Sequence, residues 1–187
     1  MGLDMYLHKK SYVKNWDHMP PEELHEITVK KGGKVRKDIK PDRINEVVEE
    51  VAYWRKANAI HHWMVENVQG GNDDCGDYYV SRKDMKELLE IIEEVLTKTK
   101  LVAGKVTNGH KFTKEGGMEP ILEDGMTVVD STVAEELLPS ASGFFFGSTH
   151  YDEYYIKDLE YTRDVFKGIL KEEGEEEYGD YYYSSSW

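Results

Sequence analysis

Four polar side chains that can bind a ligand or transfer a proton lie close together in the middle of the chain. They are Arg55, Asn58, His61 and His62, and their spacing places them on one broad face of a predicted helix. Arginine binds phosphate or carboxylate through two parallel N–H groups, and imidazole titrates near neutral pH. The group therefore predicts a ligand pocket in which Arg55 binds an anion. The alternative is a structural network, because buried polar groups are usually hydrogen-bonded to other parts of the protein.

Two tryptophans flank this group in the sequence. Trp54 and Trp63 are large aromatic rings that can stack on a nucleobase, and such stacking is tolerant of the base that is bound. Aromatic side chains at helical spacing also pack in protein cores. Both interpretations stay open at this point.

A second candidate anion site is the segment from Gly143 to Thr149, which precedes a predicted helix. Glycines before a helix expose backbone N–H groups at the positive end of the helix dipole, with Ser148 and Thr149 as additional donors. Thr149 and Asp152 also have the spacing of a capping pair. The segment lacks the lysine of a phosphate-binding P-loop, and its three consecutive phenylalanines favour a buried strand followed by a tight turn.

The sequence gives little support for metal binding or nucleophilic catalysis. Adjacent histidines diverge by about 100° on a helix, and the aspartates at 73, 74 and 77 do not fit a calcium-binding loop. No Gly-x-Ser-x-Gly nucleophile motif occurs. The sequence therefore predicts no metal, no cofactor and no catalytic residue. A nucleotide-directed hydrolase with His61 or His62 as general acid or base is retained as an alternative.

Local patterns predict the elements that position these residues. Apolar residues alternate through a strand at 2–13, and Gly32-Gly33 predicts a hairpin turn. The predicted helices are a long one from Pro41 to Asn67, one at 82–99 capped by Ser81 and Asp84, a short one ending near Pro139, and one from Tyr151 to Glu172. Residues 103–125 predict a mobile loop or a loose hairpin.

These elements predict an α+β fold in which a small antiparallel N-terminal sheet packs against three main helices. Residues 1–173 are expected to form a single α+β domain. Residues 174–187 are acidic and then rich in tyrosine and serine, which predicts a tail, with an edge strand as the alternative.

Composition limits the environment and the partners. The 187 residues carry a net charge of −13, so general attraction to bulk nucleic acid or to an anionic membrane is not expected. Cys75 is the only cysteine, which excludes an internal disulfide and favours a reducing cytoplasm. A tyrosine-rich acidic chain is compatible with a homo-oligomer, although no heptad pattern indicates one.

Several short segments together resemble those of known proteins. The segments are Gly2-Leu3-Asp4-Met5-Tyr6-Leu7, Trp54-Arg55-Lys56-Ala57-Asn58, His62-Trp63, Leu137-Leu138-Pro139, Gly143-Phe144-Phe145-Phe146-Gly147-Ser148, Tyr151-Asp152 and Tyr155. With these segments the chain resembles a widespread group of small phage and prophage proteins. The resemblance implies a phage-encoded accessory protein acting in the host cytoplasm. The resemblance identifies no substrate and no catalytic residue for this chain.

The function expected first is binding, and sequestration, of a small anionic ligand that derives from a nucleotide, to counter host defence signalling. The second is an acidic module that inhibits a host protein, because carboxylate arrays can imitate a nucleic-acid backbone. The expected ligand-binding residues are Arg55, Asn58, His62, Trp63, Ser148, Thr149 and Tyr151.

Overall fold

An antiparallel sheet of four strands and a layer of helices on one of its faces form the body of the molecule, and this confirms the predicted α+β class. The computed structural model describes residues 2–113, 117–143, 146–171 and 179–187. The strands are β1 (Asp4–Tyr12), β2 (Lys30–Lys31), β3 (Lys34–Val35), β4 (Glu46–Arg55), β5 (Tyr78–Val80), β6 (Leu101–Phe112), β7 (Met118–Val128) and β8 (Asp180–Ser186). The helices are α1 (Asn58–Asn67), α2 (Arg82–Lys98), α3 (Thr132–Leu137) and α4 (Glu153–Lys171).

The first strand follows its alternating pattern. Leu3, Met5 and Leu7 are fully buried against the helices, and the residues between them face outward. The sheet is not confined to the N-terminal part of the chain, because its strand order is β4-β1-β8-β5. Strands from the beginning, the middle and the end of the sequence therefore lie side by side.

The predicted long helix from Pro41 to Asn67 is wrong in its first two thirds. Residues 46–55 form β4, which pairs antiparallel with β1. Helical structure in this range is confined to a 3-10 turn at Pro41–Arg43 and to α1. The apolar residues of this segment fit a helical row and a strand equally well, but Val47, Val48 and Val51 are β-branched and favour a strand. Pairing with β1 decides between the two, because it satisfies the backbone groups of both strands.

The predicted C-terminal tail is also wrong where the structure describes it. Residues 180–186 form β8, which lies between β1 and β5 and pairs with both. Tyr181, Tyr183 and Ser185 point into the core, and the residues between them face outward. The strand is thus an inner one rather than the edge strand considered as the alternative. Residues 174–178 of the predicted tail lie outside the described part of the chain.

The amphipathic helices α2 and α4 supply many of the buried side chains that pack against the sheet. The predicted capping pair of Ser81 and Asp84 is confirmed at the start of α2, where each side chain accepts a hydrogen bond from the other residue's backbone N–H. On α4 the predicted pair of Thr149 and Asp152 is wrong. Asp152 itself caps this helix, which begins at Glu153.

Two hairpins lie outside the main sheet. The turn at Gly32 and Gly33 joins β2 to β3, and both glycines have positive φ, as such a turn requires. Residues 101–128 form the longer hairpin of β6 and β7, so the hairpin alternative for this segment is confirmed. A backbone bridge between Thr127 and Asp152 ties this hairpin to the start of α4. None of the helices in the described ranges is long and apolar enough to span a membrane.

Candidate functional site

A cleft of about 640 Å³ lies where four parts of the chain meet. Its walls come from the end of β4 with the start of α1, from the first turns of α4, from a bulge in β6 at residues 107–109, and from the loop residues in 140–143 and 146–150. The volume falls in the range of roughly 300–1,000 Å³ that is typical of small-molecule sites. The cleft is therefore the candidate functional site.

One side of the cleft carries positive charge that no strong ion pair neutralises. Arg55 lies at the end of β4 with its side chain 62% exposed, and its Nε is 4.0 Å from Oδ1 of Asp4. Lys56 has an exposed side chain, and no ion pair to it occurs within the described ranges. Its φ of 63° is unusual for a lysine and turns the chain sharply from strand to helix. Both cations consequently remain available to an anion.

The amino end of α1 opens into the same side of the cleft. The residue at the N-cap is Ala57, and no side chain caps the helix. Ala57, Ala59 and Ile60 all line the cleft. An uncapped amino end presents backbone N–H groups and the positive end of the helix dipole, which attract anions. Of the two helix amino ends at the cleft, that of α4 is capped by the Asp152 side chain, whereas that of α1 has no side-chain cap.

Asn58 lines the cleft but uses its amide to hold the wall together. It is 5% exposed, and its Nδ2 donates to the carbonyl oxygens of Phe146 (3.2 Å) and Ser148 (2.8 Å). Its Oδ1 accepts from the backbone N–H of Ala141 at 3.2 Å. The side chain therefore fixes the loop against α1, which is the structural-network interpretation of this residue rather than ligand binding.

The opposite side of the cleft is acidic. Asp152 is 1% exposed, and its Oδ1 accepts from the backbone N–H groups of Tyr154 (2.9 Å) and Tyr155 (3.2 Å). Its Oδ2 is buried and has no hydrogen-bond partner among the residues that the structure describes. A buried acceptor without a partner costs about 1–3 kcal/mol. A group on a bound ligand would remove that cost.

Asp158 lies one and a half turns further along α4 and also lines the cleft. Burial, and in second place the negative charge of Asp152, raise the pKa of Asp158 from 3.8 to about 7. Carboxyl groups with strongly raised pKa values concentrate at functional sites. The two aspartates make the buried side of the cleft acidic and leave its exposed side basic.

Replacing Asp158 by asparagine is expected to stabilise the protein at high pH. The folded state keeps the Asp158 proton up to a pH of about 7, whereas the unfolded chain releases it near 3.8. The free energy of unfolding therefore falls as the pH rises between these values. Asp158→Asn should raise it by about 2 kcal/mol at pH 8, a value reduced for partial solvent screening, and should change it little at pH 4. Urea denaturation at the two pH values measures both effects.

Asp164→Asn is the matched control, because Asp164 is an exposed carboxylate on the same helix and is bound to Nε of Arg163. That ion pair lowers the pKa of Asp164, so its substitution should give no stabilisation at pH 8. Equal stabilisation by Asp158→Asn at both pH values would show that ionisation of Asp158 is not the cause.

The structure separates the residues that the sequence placed together. Of the predicted ligand-binding residues, Arg55, Asn58 and Ser148 line the cleft. His62 and Trp63 instead line a hollow of about 150 Å³ beside Leu137 to Pro139. The proposal of one shared helical face is wrong because the chain changes from strand to helix between Arg55 and Asn58.

Thr149 and Tyr151 support the loop instead of lining the cleft. The carbonyl of Thr149 accepts from Oγ of Ser140 at 2.8 Å, and the Tyr151 hydroxyl accepts from the Ser140 backbone N–H at 3.1 Å. The predicted strand across the three phenylalanines involves Phe144 and Phe145, which lie outside the described residues. Trp54 belongs to the core, where its Nε1 donates to Oγ1 of Thr162 at 2.9 Å.

Sequence reasoning missed Lys56, Asp152 and Asp158 as residues of the site. Asp152 was recognised only as part of a cap, and Asp158 follows no motif. The one local signal for Lys56 is its place between a valine-rich run and a helix, where a turn is required.

His61 is buried in a network away from the cleft. Its Nδ1 lies 2.8 Å from the Tyr183 hydroxyl, and its Nε2 lies 3.1 Å from Oδ2 of Asp73. Phe146 lines the cleft and contacts the imidazole edge-to-face, with 5.1 Å between ring centroids. Burial lowers the pKa of His61, although Asp73 opposes this effect. The arrangement joins α1 to β8 and gives His61 a structural role.

No group of three or more histidine, cysteine, aspartate or glutamate side chains suited to a metal ion occurs in the described ranges. The charged and titratable side chains that line the cleft include the carboxyl groups of Asp152 and Asp158, the cations of Arg55, Lys56 and Lys157, and the imidazole of His150. No protein-family model, curated protein or solved structure matches the chain.

Proposed function

We propose that the chain binds and sequesters a small anionic ligand derived from a nucleotide in the cleft between α1 and α4. One observation carries the proposal: the uncapped amino end of α1 opens beside Arg55 and Lys56 inside a cleft of about 640 Å³. Phosphate is the anion that such an arrangement suits, because arginine, lysine and helix amino ends all bind it.

The remaining walls suit a nucleoside. Ile60, Phe146, Tyr155 and Leu159 line the cleft with apolar and aromatic surface. Small-molecule sites combine such surface with a few polar groups that set the orientation of the ligand. A base and sugar can occupy this region while the phosphate lies at α1.

Binding without conversion is the form of the proposal that we favour. His61, the imidazole considered for catalysis, has both ring nitrogens engaged and lies behind Phe146. His62 lines the separate hollow. The resemblance to phage proteins supports a specific version, in which the ligand is a nucleotide signal of host defence and the site of action is the host cytoplasm.

Loss of either cation is expected to weaken nucleotide binding by about 10-fold to 100-fold, since hydrogen bonds to charged groups contribute about 1.5–3 kcal/mol. The variants are Arg55→Ala and Lys56→Gly, and glycine keeps the left-handed backbone of position 56. Thermal shift with nucleoside monophosphates, cyclic oligonucleotides and dinucleotides identifies a binder, and calorimetry gives its Kd. A ligand at 100 times its Kd stabilises the folded state by about 2.7 kcal/mol.

Arg36→Ala is the control, because Arg36 is an exposed arginine of the small hairpin segment and pairs with Asp38. The substitution removes one positive charge from a residue that does not line the cleft, and it should leave the Kd for the nucleotide unchanged. Recovery of the intact ligand by chromatography supports sequestration, and recovery of a product would replace it with an enzymatic function. An equal loss of affinity in all three variants would indicate a general charge effect and contradict the proposed site.

A further inference from the structure

The buried acidic side of the cleft, formed by Asp152 and Asp158, has no role in binding a phosphate. We propose that it is a subsite for the amino group of a nucleobase, so that the ligand is a nucleotide of adenine or cytosine. This inference rests on the proposed function of the cleft. It assigns the acceptors to Oδ2 of Asp152 and to the carboxyl group of Asp158.

The first argument is the state of Asp152. One of its oxygens caps α4, while the other is buried and lacks a donor among the described residues. The carboxyl group lies at the wall of the cleft, and buried polar groups in proteins almost always find a partner. A ligand N–H that enters the cleft would supply the missing donor.

The second argument is that neither aspartate forms an ion pair within the described residues, although the charge of Lys157, which also lines the cleft, acts on Asp152. Lys157 is the nearest lysine on α4, and its Nζ binds Oε2 of Glu153. Glu153 also accepts from the backbone N–H of Met126 through Oε1. No ion pair to Asp152 or Asp158 occurs in the described part of the chain, and the raised pKa of Asp158 is consistent with this lack of compensation. The subsite therefore favours a donor from outside the protein.

The third argument is the order of charges along the cleft. Arg55 and Lys56 are exposed, whereas Asp152 is almost completely buried. A ligand that fits this order has an anion at its exposed end and N–H donors at its buried end. Amino-bearing nucleotides have this arrangement. Uracil and hypoxanthine present an oxygen where cytosine and adenine present an amino group, and a carboxylate repels that oxygen.

A metal ion is the competing occupant of two carboxylates. Calcium sites combine six to eight oxygen ligands, and no third histidine, cysteine or carboxylate completes a cluster within the described ranges. Mg²⁺ can be held by two carboxylates together with a nucleotide phosphate, so the test below compares binding with and without Mg²⁺. The observations thus favour an organic donor over a cation.

The test compares nucleotides that differ only by exchange of an amino group for an oxygen. Adenosine and inosine 5′-monophosphate form one pair, and cytidine and uridine 5′-monophosphate form the other. Calorimetry on the full chain, in buffer with EDTA, is expected to show binding about 10-fold to 100-fold tighter for the amino-bearing member of at least one pair. Asp152→Asn keeps a capping oxygen but places an NH₂ group at the subsite, so the preference should disappear or reverse.

Asp158→Asn is the second variant, and it should reduce the same preference while the protein stays folded. Equal binding of both members of each pair by the wild-type protein would overturn the subsite and leave the proposed function standing. A preference unchanged in both variants, or binding that requires added Mg²⁺, would also overturn it. Absence of binding by every nucleotide would instead contradict the proposed function itself.

Discussion

Deletion of residues 180–187 is expected to abolish the cooperative unfolding transition of this protein. The deletion removes β8, an inner strand that pairs with β1 along seven residues and with β5 along three. It would expose the edges of both strands and open the core where Tyr181 and Tyr183 are buried. Circular dichroism during heating measures the transition. A truncated chain that melts cooperatively near the wild-type temperature would show that this segment is dispensable.

Two tyrosines of the same strand give a matched test that does not shorten the chain. Tyr183 is fully buried and its hydroxyl bonds to His61, whereas the neighbouring Tyr182 lies on the outer face against Tyr79. Tyr183→Ala should lower the free energy of unfolding by about 3–5 kcal/mol, as expected for a large aromatic ring lost from a core. Tyr182→Ala should lower it by about 1 kcal/mol or less. Similar losses in both variants would contradict the assigned faces of β8.

Asn58→Ala is expected to lower the free energy of unfolding by about 3–4 kcal/mol. The substitution removes three hydrogen bonds to the backbone of the loop, at Ala141, Phe146 and Ser148, and leaves one buried and two partly buried groups without these partners. The same loop forms one wall of the cleft, so nucleotide affinity should fall as well. Urea denaturation measures the first effect and calorimetry the second.

Asn67→Ala is the control for this prediction. Asn67 lies at the other end of α1, is exposed, and donates a single hydrogen bond to the carbonyl of Trp63. Its replacement should cost less than about 1 kcal/mol, because exposed backbone groups can bind water instead. An equal decrease in the free energy of unfolding in both variants would show that the hydrogen bonds of Asn58 to the loop do not stabilise the fold.

The sequence by itself determined the elements whose signals are local. The alternation of Leu3, Met5 and Leu7 predicted β1, and the capping residues Ser81 and Asp84 predicted α2. Gly32-Gly33 predicted a turn because two positive φ angles are needed there. Each of these patterns lies within a few residues, and the backbone responds to it without help from distant parts of the chain.

Only the tertiary structure decided the identity of β4 and β8. Residues 46–55 carry apolar residues that fit a helix and a strand, and the choice depends on pairing with β1, more than thirty residues away in sequence. The three tyrosines at 181–183 resembled a tail because their partners are at the opposite end of the chain. Strand pairing is non-local, so local propensity cannot determine it.

The composition of the candidate site also depends on contacts between residues that are distant in sequence. Arg55 was recognised from its residue type, but the residues that line the cleft with it come from α1, α4 and the loop at 140–143 and 146–150. One oxygen of Asp152 has a local role as a helix cap, which the sequence suggests. The other is buried without a partner among the described residues, which only packing reveals. The sequence therefore identified some of the side chains that line the cleft, such as Arg55, by residue type. The tertiary structure decided which side chains meet and added Lys56, Asp152 and Asp158, because burial and charge at a site depend on residues distant in sequence.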